Sequence, residues 1–118
     1  MNESSIFKSV SVLGNSVFVR QKDGIVKINV DDLIYIKSNQ NMVILQSNNN
    51  RFIINSSLRQ VEAMFSKKGF YRINRSHLVK INKIDIIGNT FIMITGLKIA
   101  IGAGYKRPFL NILSIYKS

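Results

Sequence analysis

The chain has 118 residues, enough for one domain with a real core at 46% hydrophobic composition, and it carries no cysteine and a single histidine. Disulfides and thiolate metal sites are therefore excluded, and one imidazole beside six acidic side chains leaves little from which to build a metal centre or an acid/base pair. Net charge is +11 and unevenly spread: residues 1 to 50 hold five basic and four acidic side chains, residues 51 to 118 twelve and two.

Such a skew concentrates a positive field on whatever surface the second half builds, which favours a polyanionic partner, nucleic acid ahead of an anionic membrane. The nineteen Ile and thirteen Asn also fit the compositional bias of an AT-rich genome. The N-terminus shows no basic region followed by a long apolar run. The most apolar segment, "FIMITGLKIAI", is interrupted by Lys98 and is too short to span a bilayer. The expectation is a cytoplasmic protein without a membrane partner.

Residues 1 to 15 lack a clear period and read as an N-terminal linker or tail, leaving 16 to 118 as the domain. "SVFVRQ" and "GIVKINV" flank Lys22-Asp23-Gly24, a hairpin signal, and Val26, Ile28 and Val30 fall on one face of the second strand. Asp31-Asp32 marks a corner. "LIYIKS" and "NMVILQS" are apolar on both faces, which predicts a sheet covered on both sides, with "SNQN" as the turn between them. "SNNN" leads into "RFIIN". "SSLRQVEAMFSKKG" then changes the period: Ser57 and Gln60 have capping-box spacing, Leu58, Val61, Met64 and Phe65 form a helical stripe, and Gly69 suits the exit.

Strands resume in "FYRINRSHLVKINKI", broken by Asn74, Arg75, Ser76 and His77, and continue through "KIDIIG", "NTFIMIT" and "KIAI" with turns at Gly88-Asn89 and Gly96. In the tail, Phe109, Leu110, Ile112, Leu113 and Tyr116 lie at helical intervals, with Pro108 tolerable in a first turn. The expected fold is mainly β, with eight to ten strands and one or two short helices.

Catalysis finds no support. No Gly-rich phosphate loop follows a strand, no nucleophile has a partnered histidine, and His77 has nothing with which to share a metal ion. The chain is expected to be a binding module without cofactor or metal. Three polar interruptions share a chemical theme: "SNQN" at 38 to 41, with Asn39 and Asn41; "NRSH" at 74 to 77; and "GAGYKR" at 102 to 107, with Lys106 and Arg107. Asn and Arg can make paired hydrogen bonds to adenine and guanine edges, while hydroxyls, ammonium groups and Gly-rich backbone suit phosphate oxygens. Each stretch alone also reads as an ordinary turn or solvated face. "NRSH" does so least well, because Arg is not a turn former and Arg72, Lys80 and Lys83 stand nearby.

In order, "VDDLIYIKSNQNMVIL", "SSLRQVEAMFSKKGFYRINRSHLVKINKIDII" and "KIAIGAGYKRPFL" resemble the LytTR DNA-binding domain, the output module of many bacterial response regulators. The resemblance covers roughly residues 16 to 111. Its marks are the acidic pair before an aromatic strand, the short helix ending at Phe65, the string Phe-x-Arg-Ile-x-Arg-Ser-x-Leu-Val, and the close Ile-x-Ile-Gly-x-x-Tyr-Lys. It implies an elongated, antiparallel, multi-sheet β fold that reads double-stranded DNA with inter-strand loops. By the same resemblance Arg75 meets a base edge in a major groove, Ser76 lies beside a phosphate, Asn41 faces a groove, and Lys106 contacts a phosphate. Ala103 stands where relatives are often basic or polar, Asn74 where they often show His, and His77 where an aromatic is usual.

The function so implied is sequence-specific DNA binding by a bacterial transcriptional regulator. The DNA-contacting set is Asn39, Asn41, Asn74, Arg75, Ser76, His77, Lys106 and Arg107. Repeated sites, occupancy as a monomer or weak dimer, and a receiver domain or partner regulator belong to the same expectation. The alternatives are a basic protein-interaction module and an RNA-binding domain, for which Tyr35, Tyr71 and Phe91 would have to form a stacking platform although they alternate as core residues do.

Overall fold

Hairpins dominate the architecture because turn-forming residues fall between runs of alternating or continuous apolar residues. The computed structural model describes residues 6–8 and 15–115. In chain order the strands are β1 (Ile6–Lys8), β2 (Ser16–Gln21), β3 (Gly24–Asn29), β4 (Leu33–Asn39), β5 (Met42–Ser47) and β6 (Arg51–Ile54). After helix α1 (Leu58–Phe65) come β7 (Phe70–Asn74), β8 (His77–Lys80), β9 (Ile84–Ile87), β10 (Phe91–Ile94) and β11 (Leu97–Ala100), and then helix α2 (Lys106–Asn111). They form three antiparallel sheets, ordered β1-β2-β3, β6-β5-β4-β8-β7 and β11-β10-β9. The molecule is elongated, 49 × 33 × 24 Å.

The first hairpin follows its turn signal: Gln21 opposes Gly24, so Lys22 and Asp23 alone make the connection, and Gly24 leaves it at φ 145°. Ile28 and Val30 are buried as the alternation predicts, but Val26 is 37% exposed, two residues from the exposed Gly24 at the hairpin turn. Within the segment expected to be a linker or tail, residues 6–8 pair with β2, Phe7 opposite Phe18. This strand brings the total among the described residues to eleven, one above the expected range.

The five-stranded sheet is covered on both faces, as its doubly apolar strands require. On one side Leu33, Ile36, Val43, Leu45 and Leu78 pack with Val17, Val19 and Ile28 of the first sheet and with Leu58, Val61 and Phe65 of α1. On the other, Ile34, Ile73 and Val79 pack with Ile92, Ile94 and Ile99 of the third sheet and with Phe109 of α2. β4 contributes to both clusters, Leu33 and Ile36 to the first and Ile34 with its neighbour Tyr35 to the second, and its register shifts between Leu33 and Tyr35.

Helix α1 starts in a reciprocal capping box: Ser57 Oγ accepts from the Gln60 amide at 3.1 Å, and Gln60 Oε1 accepts from the Ser57 amide. Gly69, at φ 89°, provides the left-handed exit after a 3-10 turn at Ser66–Lys68. In the tail Phe109 is fully buried, and Leu110 and Leu113 pack against the second cluster. Ile112 is 51% exposed, so only part of the predicted stripe faces inward. Tyr116 lies outside the described residues.

Candidate nucleic-acid interface

The end of the central sheet where β4 and β7 finish and β5 and β8 begin gathers the polar interruptions. Antiparallel pairing of β4 with β8, Lys37 opposite His77, brings the 39–41 turn and the 74–77 turn to one edge. They are also joined directly, because the Ser38 amide donates to the Ser76 carbonyl at 2.9 Å. Gln40 sits at φ 59°, the left-handed geometry of a tight hairpin, and Asn39 and Asn41 on either side of it are exposed.

The 74–77 turn is braced by its own side chains. Asn74 ends β7 and His77 begins β8, so Arg75 and Ser76 alone form the connection. Asn74 Oδ1 accepts from the Ser76 amide at 2.8 Å, and Nδ2 donates to the Ala100 carbonyl at 2.8 Å. His77 Nδ1 lies 3.1 Å from the same Oδ1. Since Oδ1 can only accept, Nδ1 carries the proton, and the neutral imidazole keeps Nε2 as an acceptor. Burial, and then the Lys37 ammonium, push the His77 pKa below its ordinary value of 6.5, so the ring is neutral at physiological pH. Asn74 thus stands committed inside the protein.

Arg75 differs from the other cations nearby. It is exposed, and among the described residues no hydrogen bond or ion pair engages its guanidinium. Arg72 is held by Glu62 at 2.7 Å. Lys80 is 5% exposed, its ammonium donating to the Lys68 carbonyl at 2.9 Å and lying over the Phe70 ring. Burial lowers the Lys80 pKa, with Asp31 at 3.8 Å opposing that shift. Two of the three cations that stand near "NRSH" in sequence are therefore used within the fold. The role of Glu62 was not legible in sequence, since it lies ten residues before its partner Arg72 on a different element.

The third segment is stitched to the same edge. Besides the bond from Asn74 to Ala100, the Gly102 amide donates to the Ile73 carbonyl at 2.9 Å. A Cβ on Gly102 would lie 2.8 Å from the Tyr105 ring and 3.4 Å from the Asn74 Cα, so a residue without a side chain lets the two segments close up. Lys106 and Arg107 follow at the start of α2. Their side chains share a groove with Leu110 and Asn111, and Lys106 also faces Ile87, Gly88 and Asn89 of the β9–β10 turn. The fold thus joins Asn39, Asn41 and residues 74 to 77 on one edge and sets Lys106 beside a neighbouring turn, with Arg107 next to it on α2.

No helix among the described residues is long and apolar enough to cross a membrane. Comparison with curated proteins gives no match. Among solved structures, the chain is similar to the LytTr DNA-binding domain of a protein described as a methyl-accepting/DNA response regulator from Bacillus cereus. The TM-score is 0.73 and the identity 20%, over 86% of this chain and 98% of that one. This likeness shows the fold, the expected mainly β, multi-sheet LytTR arrangement. The family model described as the LytTr DNA-binding domain matches residues 23–114, which takes in both turns, α1 and α2. The chain belongs to the LytTR family of DNA-binding domains.

Proposed function

We propose that this domain binds double-stranded DNA sequence-specifically in a bacterial transcriptional regulator, reading a major groove with Arg75 and holding the backbone with Ser76, Lys106 and Arg107. The observation that carries the reading is the exposed Arg75 guanidinium, unengaged among the described residues, on a turn whose main chain is fixed by Asn74, Arg72 and Ser38. A guanidinium so presented can donate two hydrogen bonds to guanine O6 and N7. Asn39 and Asn41 extend the reading edge, and Asn74 and His77 support it from within. LytTR is a DNA-binding family and not an enzyme family.

The rest follows from scale. One small domain offers few base contacts, so it occupies repeated sites, as a monomer or weak dimer, in the cytoplasm, with its input from a receiver domain or partner regulator. Loops from several strands must fit one duplex together, which favours bent DNA. The RNA reading is weakened because Tyr35 and Tyr71 are packed against the second core, away from single-stranded bases.

Selection of bound duplexes from a random pool tests the proposal. The expected result is an enriched, repeated motif whose binding resists competition by a flexible acidic peptide. A pool that stays random, or equal competition by the peptide, overturns it in favour of a basic protein-interaction module.

A further inference from the structure

We propose that Arg72, anchored by Glu62, is the positioning residue that aims Arg75. This rests on the reading of Arg75 as the base-contacting side chain. Arg72 Nε donates to the Asn74 carbonyl at 3.1 Å, and Nη2 donates to the Arg75 carbonyl at 2.7 Å. Those carbonyls belong to the peptide units before and after the Arg75 Cα. One planar guanidinium therefore holds both planes that flank this Cα, and with them the direction of the Arg75 Cα–Cβ bond.

The remaining edge of the fork is fixed as well. Nη1 donates to Glu62 Oε1 at 2.7 Å, and Glu62 belongs to α1, whose Leu58, Val61 and Phe65 are buried in the first core. The pair borders a cleft lined by Tyr71, Gly104, Tyr105 and Pro108, so the clamp joins α1 to the reading turn beside the third segment. Arg suits this position because its donors are set in a rigid fork, whereas a lysine ammonium is a single point on a flexible stem and cannot span both carbonyls and the carboxylate. A paired contact to a base edge depends on aim, and a contact to a phosphate depends mainly on charge.

The test measures discrimination, defined as affinity for the selected duplex over affinity for the same duplex with the guanine pair read by Arg75 replaced. Arg72→Lys keeps the charge and an ion pair to Glu62. It is expected to bind random duplex as the native protein does and to lose about tenfold in discrimination, within the range of one paired base contact. Arg72→Lys combined with Arg75→Ala should discriminate no worse than Arg75→Ala alone, because aim is worthless without the reader. Glu62→Gln, which keeps the guanidinium and its carbonyl bonds, should show a smaller loss of the same kind and serves if Arg72→Lys does not fold.

Native discrimination in Arg72→Lys, with discrimination lost in Arg75→Ala, overturns the inference and leaves the DNA reading standing. An equal loss on both duplexes, or a lower melting temperature alone, also overturns it. Native discrimination in Arg75→Ala removes the DNA-reading assignment itself, and this inference with it.

Discussion

Asn74 and Ala100, twenty-six residues apart in sequence, are joined by a 2.8 Å hydrogen bond from the Asn74 carboxamide to the Ala100 carbonyl. With the bonds to Ser76 and His77, every polar atom of the carboxamide is in use, and two sheets are tied together beside the reading turn. Asn74→Asp removes the donor and sets a carboxylate oxygen against a carbonyl. It is expected to destabilise the fold by about 1–3 kcal/mol, the cost of leaving such groups unpaired. Urea unfolding checks this. A midpoint equal to that of the native protein would show that the bond adds nothing in solution.

How far the sequence reveals the molecule depends on how local each signal is. The first hairpin and α1 are legible because Asp23-Gly24 and the Ser57/Gln60 box act across two to four residues. The two cores are legible because β4 is apolar on both faces, which only a doubly covered sheet tolerates. By contrast β1 is three residues long, too short to carry a period, and its pairing with β2 is set by tertiary contact. At the site, the sequence marks which residues are polar and does not show what they face. Asn74 and Arg75 are neighbours of similar promise, yet one is turned to Ala100 and the guanidinium of the other is engaged by none of the described residues. The partners of Arg72 and Lys80, Glu62 and the Lys68 carbonyl, were likewise visible only in the folded chain.

His77 should give folding and DNA binding opposite responses to acid. Its folded pKa lies below 6.5, first through burial and then through Lys37, so the folded protein favours the neutral ring. The stability it contributes is present above pH 6.5 and is lost as pH falls below that value toward the folded pKa. DNA, a polyanion, favours the charged ring. Between pH 7 and 5, then, unfolding midpoints should fall more steeply for the native protein than for His77→Gln, while affinity for duplex should rise more steeply. Parallel curves for the two proteins in both measurements would exclude the imidazole as the titrating group.

Phe109 connects the second core to the helix that carries Lys106. It is fully buried, with its ring 5.6 Å from that of Tyr71 at a tilt of 37°. Phe109→Ala should cost about 3–5 kcal/mol, the usual loss for a buried aromatic side chain. Because α2 is only six residues long and depends on this packing, the variant should also lose phosphate contacts from Lys106 and Arg107. Duplex affinity measured well below the melting temperature checks the second effect. Native affinity there would mean that α2 holds its place without Phe109.

Arg75 and Lys106 separate reading from holding. Arg75→Ala should cost about 1–3 kcal/mol on the selected site and much less on random duplex, flattening the preference at one or two base pairs. Lys106→Ala should weaken binding to both duplexes alike. Its effect also appears in salt dependence: neutralisation of about five to eight phosphates gives the native protein a log–log slope of roughly −5 to −7, and removing one ammonium should make it shallower by about one. If Arg75 only stabilised its turn, Arg75→Ala would lower the melting temperature and leave the ratio of specific to random binding unchanged. The Arg75 guanidinium has no partner among the described residues, so its removal should leave the melting temperature in place and change the ratio. Thermal unfolding and titration of both duplexes with the same variant decide between the two.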